Sequence, residues 1–180
     1  PAYIQKELSN GQNFLVFSLI QAITFAGGVY VILAGVRLIL AEIVPAFRGI
    51  AMKLVPNAKP ALDCPVVFAY APNAVLIGFL SSFVGGIVGM GIQIAMGTTV
   101  ILPGVVPHFF CGATAGVFGN ATGGRRGAII GAFVHGLLIT FLPIALLPTL
   151  GDLGYAGSTF SDTDFGIIGI ILGKILSIIH

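Results

Sequence analysis

Charge-free apolar stretches in this chain are long enough to cross a membrane as helices. Residues 13–36 carry no charged side chain, and about 20 mostly apolar residues suffice for a spanning helix. Apolar and polar positions do not alternate, which disfavours a membrane β-strand. The pattern therefore predicts helical spans near 13–36, 74–97, 101–121, 127–150 and 165–180.

Two segments between these spans have a different pattern. Charged residues punctuate apolar ones at near-helical spacing over 37–59, which predicts an amphipathic helix in the membrane interface, divided by Pro45. Residues 62–74 contain Pro65 and Pro72 and are predicted to form a short broken or re-entrant segment. Irregular backbone survives at membrane depth only inside protein or beside a cavity, so this segment is a candidate site.

Composition supports a membrane protein and excludes several classes of function. The chain is 57% hydrophobic and 8% charged, whereas globular domains are about 25% charged. A net charge of +2 without basic clusters among aromatic residues excludes a nucleic-acid binder. The two cysteines, Cys64 and Cys111, are too few for a disulfide framework or a zinc site and are predicted to be buried small hydrophobes. No metal or cofactor is expected.

Charge and glycine positions predict orientation and packing. The 37–59 segment and Arg125–Arg126 hold six of the eight Lys and Arg residues, whereas the loop 151–164 holds three Asp and no Lys or Arg. The positive-inside rule then places the basic side in the cytoplasm. Glycines recur at four-residue spacing, as at Gly85 and Gly89 or Gly112 and Gly116. This spacing favours close helix packing.

Asp63 is the foremost candidate site residue. A carboxylate at the membrane boundary costs free energy unless it is solvated or paired. It ends the amphipathic helix, pairs with Lys59 or faces a cavity, and the neighbouring prolines favour the cavity. Asn73 is predicted to cap a helix in preference to contacting a polar solute. The role of Tyr70, packing or hydrogen bonding, stays open.

Other polar residues inside the apolar runs have ordinary interpretations. His108 and His135 have no second ligand at metal spacing, and packing through a hydrogen bond is favoured over a functional role. Gln21 and Gln93 are predicted to join helices by hydrogen bonds. The GGRRG stretch at 123–127 lacks phosphate-loop spacing and is predicted to be a turn. No nucleophile–base arrangement stands out, so no catalytic residue is assigned.

Three segments resemble one family of transporters in sequence and in order. They are AGVRLILAEIVPAFRGI (34–50), ALDCPVVFAYAPNAVLIGF (61–79) and ILPGVVPHFFCGATAGVFGNATGGRRGA (101–128). They resemble the IIC membrane component of the L-ascorbate phosphotransferase system. The resemblance covers nearly the whole chain and is to the C-terminal half of that family.

The resemblance implies a fold and a role for Asp63. Such permeases form homodimers, with a core domain that carries the sugar and a V-shaped domain at the dimer contact. Their halves are inverted repeats with hairpins that enter the membrane partway. The expected fold class is therefore an all-α integral membrane protein, a polytopic helical bundle with re-entrant segments that forms half of an inverted-repeat transporter. In the family's DC…APNA segment the Asp binds ascorbate, which assigns Asp63 as a substrate contact; further contacts lie mainly in the N-terminal half.

The resemblance also implies a mechanism and partners. The IIC component, in the bacterial inner membrane, binds L-ascorbate outside and presents it inside by a rigid-body movement of its core. A cytoplasmic IIB partner, served by a IIA component, then phosphorylates the sugar through a phosphocysteine. That cysteine belongs to the partner and is neither Cys64 nor Cys111. The alternatives are a related permease for galactitol or a pentitol, and a truncated, non-transporting membrane fragment.

Overall fold

The computed structural model describes residues 3–56, 64–155, 157–160 and 162–179, and in these ranges it contains helices and no strand. Three helices are long and apolar enough to cross a membrane, at Phe14–Lys53, Pro72–Met96 and Val105–Gly151. The predicted fold class, an all-α membrane protein, is confirmed. The chain divides into two compact units, residues 1–62 and residues 63–180.

The first unit is dominated by one long helix. After a short π-helical turn at Ile4–Leu8, helix α1 runs from Phe14 to Lys53. Asn13 caps it, because the Asn13 Oδ1 accepts a hydrogen bond of 2.9 Å from the Leu15 N–H. Its 40 residues give a length of about 60 Å, twice the hydrocarbon thickness of about 30 Å. The predicted span 13–36 and most of the predicted interfacial segment 37–59 thus share one helix, which continues through Pro45.

The second unit contains the remaining helices. They are α2 (Cys64–Phe68), α3 (Pro72–Met96), α4 (Val105–Pro107), a π-helical turn (His108–Gly112), α5 (Ala113–Asp152) and α6 (Thr163–Ile179). Helix α5 changes direction at Gly123 and Gly124, where Gly124 has φ 58° and ψ −150°, a conformation open essentially to glycine. This bend lies in the GGRRG stretch predicted to be a turn. It divides α5 into a first arm (113–122) and a second arm (125–152).

Glycines set the distances between these helices, as their spacing predicts. A Cβ added at Gly78 would lie 2.7 Å from the Cα of Gly116, and one added at Gly85 would lie 3.3 Å from the Cα of Gly136. Gly119 and Gly127 face each other so closely that a Cβ on either would collide with the other's carbonyl oxygen. Backbones can approach this closely only where no side chain intervenes. The first arm is antiparallel to α3, because Gly116 lies near Gly78 and Gly112 lies near Ser82. The second arm is parallel to α3, because Gly136 lies near Ser82 and Thr140 lies near Gly89.

The chain folds back partway along the bundle after α3. Helix α3 ends at Gly97 (φ 66°), where the Thr98 N–H donates to the Gln93 carbonyl at 3.1 Å, a glycine-terminated helix end. The following residues, the first return segment (97–104), bring Pro103 beside Gly86. Gly86 lies ten residues before the last residue of α3, Met96, so the segment returns about 15 Å along the helix. The sequence placed a helical span from residue 101, whereas the helix begins at Val105 after this extended return.

A similar return follows α5. Helix α6 packs along the second arm in parallel order, with Gly166, Gly169 and Gly173 against Leu142, Leu146 and Thr149. The described residues between these helices (153–155, 157–160 and 162), here called the second return segment, therefore run back along the second arm. Gly154 (φ 84°) begins this return. Hydropathy predicts that 151–164 is a loop on one side of the membrane. In the structure, Asp162 and Thr163 instead contact Cys111 and His135, away from the end of α5.

Candidate functional site

His108 marks the level at which the first return segment meets the helices. Its side chain is 1% exposed, and its Nδ1 lies 2.8 Å from the Ser82 Oγ. The ring stands edge-on to Phe83 at 5.7 Å and packs against Gly86. Gly86 is near the middle of the 25-residue helix α3, so His108 lies near the middle of the bundle. These contacts confirm the predicted packing role of His108.

Gln93 joins three parts of the second unit. The side chain is fully buried; its Nε2 donates to the Thr140 carbonyl at 2.9 Å, and its Oε1 accepts from the Ile101 N–H at 2.7 Å. It therefore ties α3 to the second arm and to the first return segment. The prediction that Gln93 joins helices is confirmed, whereas Gln21 is an exposed residue of α1.

The second return segment and α6 are anchored at a similar level. The Cys111 Sγ donates to the Asp162 Oδ1 at 3.4 Å, and the Thr163 Oγ1 lies 2.9 Å from the His135 Nε2. Among the described residues, the buried His135 Nδ1 has no hydrogen-bond partner. Cys64 and Cys111 are both only partly buried, so the prediction that they are buried small hydrophobes is wrong. The polar start of α6 is thus held beside the π-helical turn.

A small cavity, here called the central cavity, lies between the two return segments. It has a volume of about 80 Å³. Its lining includes Pro103 and Gly104 of the first return, Thr159 and Phe160 of the second, and Thr140 and Pro143 of the second arm. Pro143 has no N–H and therefore leaves the Ile139 carbonyl, also in the lining, without its usual helical partner.

The central cavity has the chemistry of a hydrogen-bonding site. Thr140 and Thr159 supply hydroxyl groups, which can bind hydroxyl groups of a solute. The Thr140 hydroxyl already donates to the Gly136 carbonyl at 2.7 Å, so it serves a solute as an acceptor. No group of side chains suited to a metal ion occurs among the described residues. A volume of this size holds two or three water molecules. The return segments must therefore separate before a six-carbon solute can enter.

Helix α2 lies alongside the π-helical turn. The Phe68 ring packs edge-on against Phe109 at 5.5 Å and is stacked with Phe110 at 6.3 Å. Residues 69–71 are not helical, and α3 begins at Pro72. Asp63, the residue assigned as a substrate contact, directly precedes α2 in sequence and lies outside the described residues.

Asn73 has a different place from the one predicted. The cap residue of α3 is Ala71 and no side chain caps this helix, so the prediction that Asn73 caps it is wrong. Asn73 and Tyr70 instead line a second cavity, where α3 begins and α5 bends, together with Asn120 and Arg125. Pro72 occupies the first turn, where its missing N–H costs nothing.

Sequence reasoning missed several residues that hold the return segments. The Ser82 and Thr163 hydroxyls lie within hydrogen-bond distance of His108 and His135, and the backbone carbonyl of Thr140 accepts a hydrogen bond from Gln93. Ser82 and Thr163 are small polar residues in or next to a long apolar run, and this was the available signal. A backbone carbonyl such as that of Thr140 gives no signal in the sequence. The partners of these three residues are 26 to 47 residues away in sequence, so spacing along the chain does not reveal them.

Comparison with known proteins agrees with this architecture. The family model EIIC-GAT, described as PTS system sugar-specific permease component, matches residues 2–164. The ascorbate-specific PTS system EIIC component of Mycoplasma pneumoniae is 30% identical over 159 residues, which cover 84% of this chain and 24% of that relative. The chain thus spans about a quarter of the relative's length. With the family model matched over most of its residues, the chain belongs to the EIIC-GAT family of PTS sugar-specific permease components.

Proposed function

We propose that this chain takes part in uptake of L-ascorbate across the bacterial inner membrane, as the IIC component of a phosphotransferase system. The similarity to the ascorbate-specific component over 84% of the chain carries this proposal. Uptake is coupled to phosphorylation of the sugar by a cytoplasmic IIB partner, which a IIA component recharges. The permease acts as a homodimer.

The broken helices of the second unit support a transport role. In transporters, discontinuous helices line substrate sites near the middle of the bilayer. The two return segments end in the middle of the bundle and enclose the central cavity, whose polar groups suit a solute rich in hydroxyls. The cavity is the part of the site that the described residues contribute, and it enlarges when the return segments separate.

Asp63 is proposed to accept a hydrogen bond from an ascorbate hydroxyl. Its position directly before α2 supports this role, because α2 packs against the π-helical turn that borders the central cavity. Hydrogen bonds to a carboxylate are about twice as strong as those between neutral groups. Ascorbate is an anion near neutral pH, so the carboxylate contacts hydroxyls and not the ionised enediol.

Substitution of Asp63 tests this contact directly. We expect Asp63→Asn to raise the KM for uptake of radiolabelled L-ascorbate about tenfold, because one charge-assisted hydrogen bond becomes a weaker one. Uptake is measured in cells that lack their own ascorbate system and express the complete reading frame with IIB and IIA. Glu42→Gln, an exposed carboxylate of α1, is the matched control. Unchanged KM in Asp63→Asn would refute the contact.

The substrate itself is tested by competition in the same cells. Unlabelled L-ascorbate is expected to abolish uptake of the label, and a tenfold excess of galactitol is expected to leave it unchanged. Ascorbate phosphate is expected to accumulate only when IIB is present. Inhibition by galactitol with no ascorbate uptake would assign the permease to a different sugar.

A further inference from the structure

A second and larger cavity lies at the end of the second unit where α3 begins and α5 bends. Its volume is about 700 Å³, and it is lined by Tyr70, Asn73, Asn120 and Arg125 together with apolar residues of α3. The central cavity lies beside Gly86 and His108, near the middle of α3. The larger cavity is therefore a separate site, and we call it the terminal cavity.

The polar groups of the terminal cavity share a preference for an anion. Arg125 supplies a guanidinium, Asn73 and Asn120 supply amide N–H groups, and Tyr70 supplies a hydroxyl. No carboxylate occurs among the described residues of the lining, and no described residue forms an ion pair with Arg125. A cation that faces a wide cavity without an internal partner is available to an external anion.

We propose that the terminal cavity binds a phosphate group. A guanidinium matches the geometry of phosphate oxygens and binds two of them at once, and amide and hydroxyl donors satisfy the others. The phosphate belongs either to an anionic phospholipid headgroup or to a free phosphate ester. The positive-inside rule supports this chemistry, because the side of the membrane with Arg125 and Arg126 is then the cytoplasmic one, where basic pockets between helices bind anionic headgroups.

The cavity provides room for more than an ion. A volume of about 700 Å³ exceeds that of a phosphate many times, so a headgroup or a small organic phosphate fits beside Arg125. The apolar lining residues Leu76 and Ile77 provide a surface for the carbon skeleton of such a ligand. Phosphate binding in this cavity does not depend on which sugar the permease carries.

Neighbouring arginines provide a matched test. Arg125 lines the cavity and Arg126 does not, so Arg125→Gln and Arg126→Gln make the same change in charge one residue apart. Binding of short-chain phosphatidylglycerol and of glycerol 1-phosphate is measured by titration calorimetry on the full-length protein in a neutral detergent. We expect Arg125→Gln to weaken binding about tenfold and Arg126→Gln to change it by less than about twofold.

The two probes distinguish the sources of the phosphate. Binding of phosphatidylglycerol alone supports a lipid site, and binding of both probes supports a site for free phosphate esters. Asn120→Leu, which removes a second donor from the cavity, is expected to weaken binding about threefold. Equal losses in both arginine variants would show a general effect of charge and overturn the proposal. Absence of binding by both probes to a wild-type protein that elutes as a single species would overturn it as well.

Discussion

Gly136→Ala is expected to destabilise the second unit strongly, although it adds only one methyl group. A Cβ at this position would lie 2.9 Å from the carbonyl carbon of Ser82 and 3.0 Å from its Cα, and would collide with its oxygen. These are backbone atoms of α3, so no side chain can rotate away. Overpacking of this kind costs about 3 kcal/mol of unfolding free energy.

The matched control for this change is Gly91→Ala in α3. A Cβ at Gly91 meets nothing within 4 Å, and alanine favours a helix over glycine by about 1 kcal/mol. Thermal unfolding in detergent, followed by loss of the monodisperse elution peak, is expected to shift to lower temperature for Gly136→Ala only. An equal shift in the two variants would mean that α3 and the second arm are not in contact at Ser82.

Gln93→Leu is the second change with a large expected effect. Leucine fills a similar volume but removes the acceptor of the Ile101 N–H and one hydrogen bond to the Thr140 carbonyl. Each buried group that loses its partner costs about 1–3 kcal/mol. The first return segment loses its hydrogen bond to the Gln93 side chain. We therefore expect this segment to open more easily, in addition to a lower stability of the whole second unit.

Hydrogen exchange measures this local loss. In Gln93→Leu, the amides of residues 98–102 and 104 are expected to exchange at least about tenfold faster than in the wild type, because this segment opens more easily. Gln21→Leu, at an exposed position of α1, makes the same chemical change and is expected to leave these amides unaffected. If exchange in 98–104 stayed at the wild-type rate, Gln93 would not be the residue that holds this segment.

Sequence predicted helices and their ends better than it predicted the direction of the segments between them. The glycines of GGRRG and the prolines of 62–74 act locally, because φ and ψ preferences belong to the residue itself. The stretch GTTVILPG (97–104) is mostly apolar, and its return beside Gly86 depends on a tertiary contact, the hydrogen bond from the Ile101 N–H to the Gln93 side chain. Hydropathy measures how strongly a segment prefers the membrane over water. It does not determine the direction in which the chain runs there.

In the candidate site, too, the sequence predicted which residues need a partner but not which partner each residue finds. His108 and Gln93 were identified from sequence as polar residues inside apolar runs, where a partner is needed. Which partner each finds, Ser82 or Thr140, follows from packing of helices through glycines far away in the chain. The role of Asp63 came from the resemblance alone and stays a prediction. Asp162 was read as a loop charge, because its return to Cys111 has no local signature.

The position of the central cavity halfway along α3 has an electrical consequence. An ion held there has crossed about half of the membrane field, which is worth about 1 kcal/mol per unit charge at 100 mV. A singly charged anion released from this depth into a negative interior moves against that field. Any process that keeps the free concentration of such an anion low inside the cell therefore favours its inward delivery.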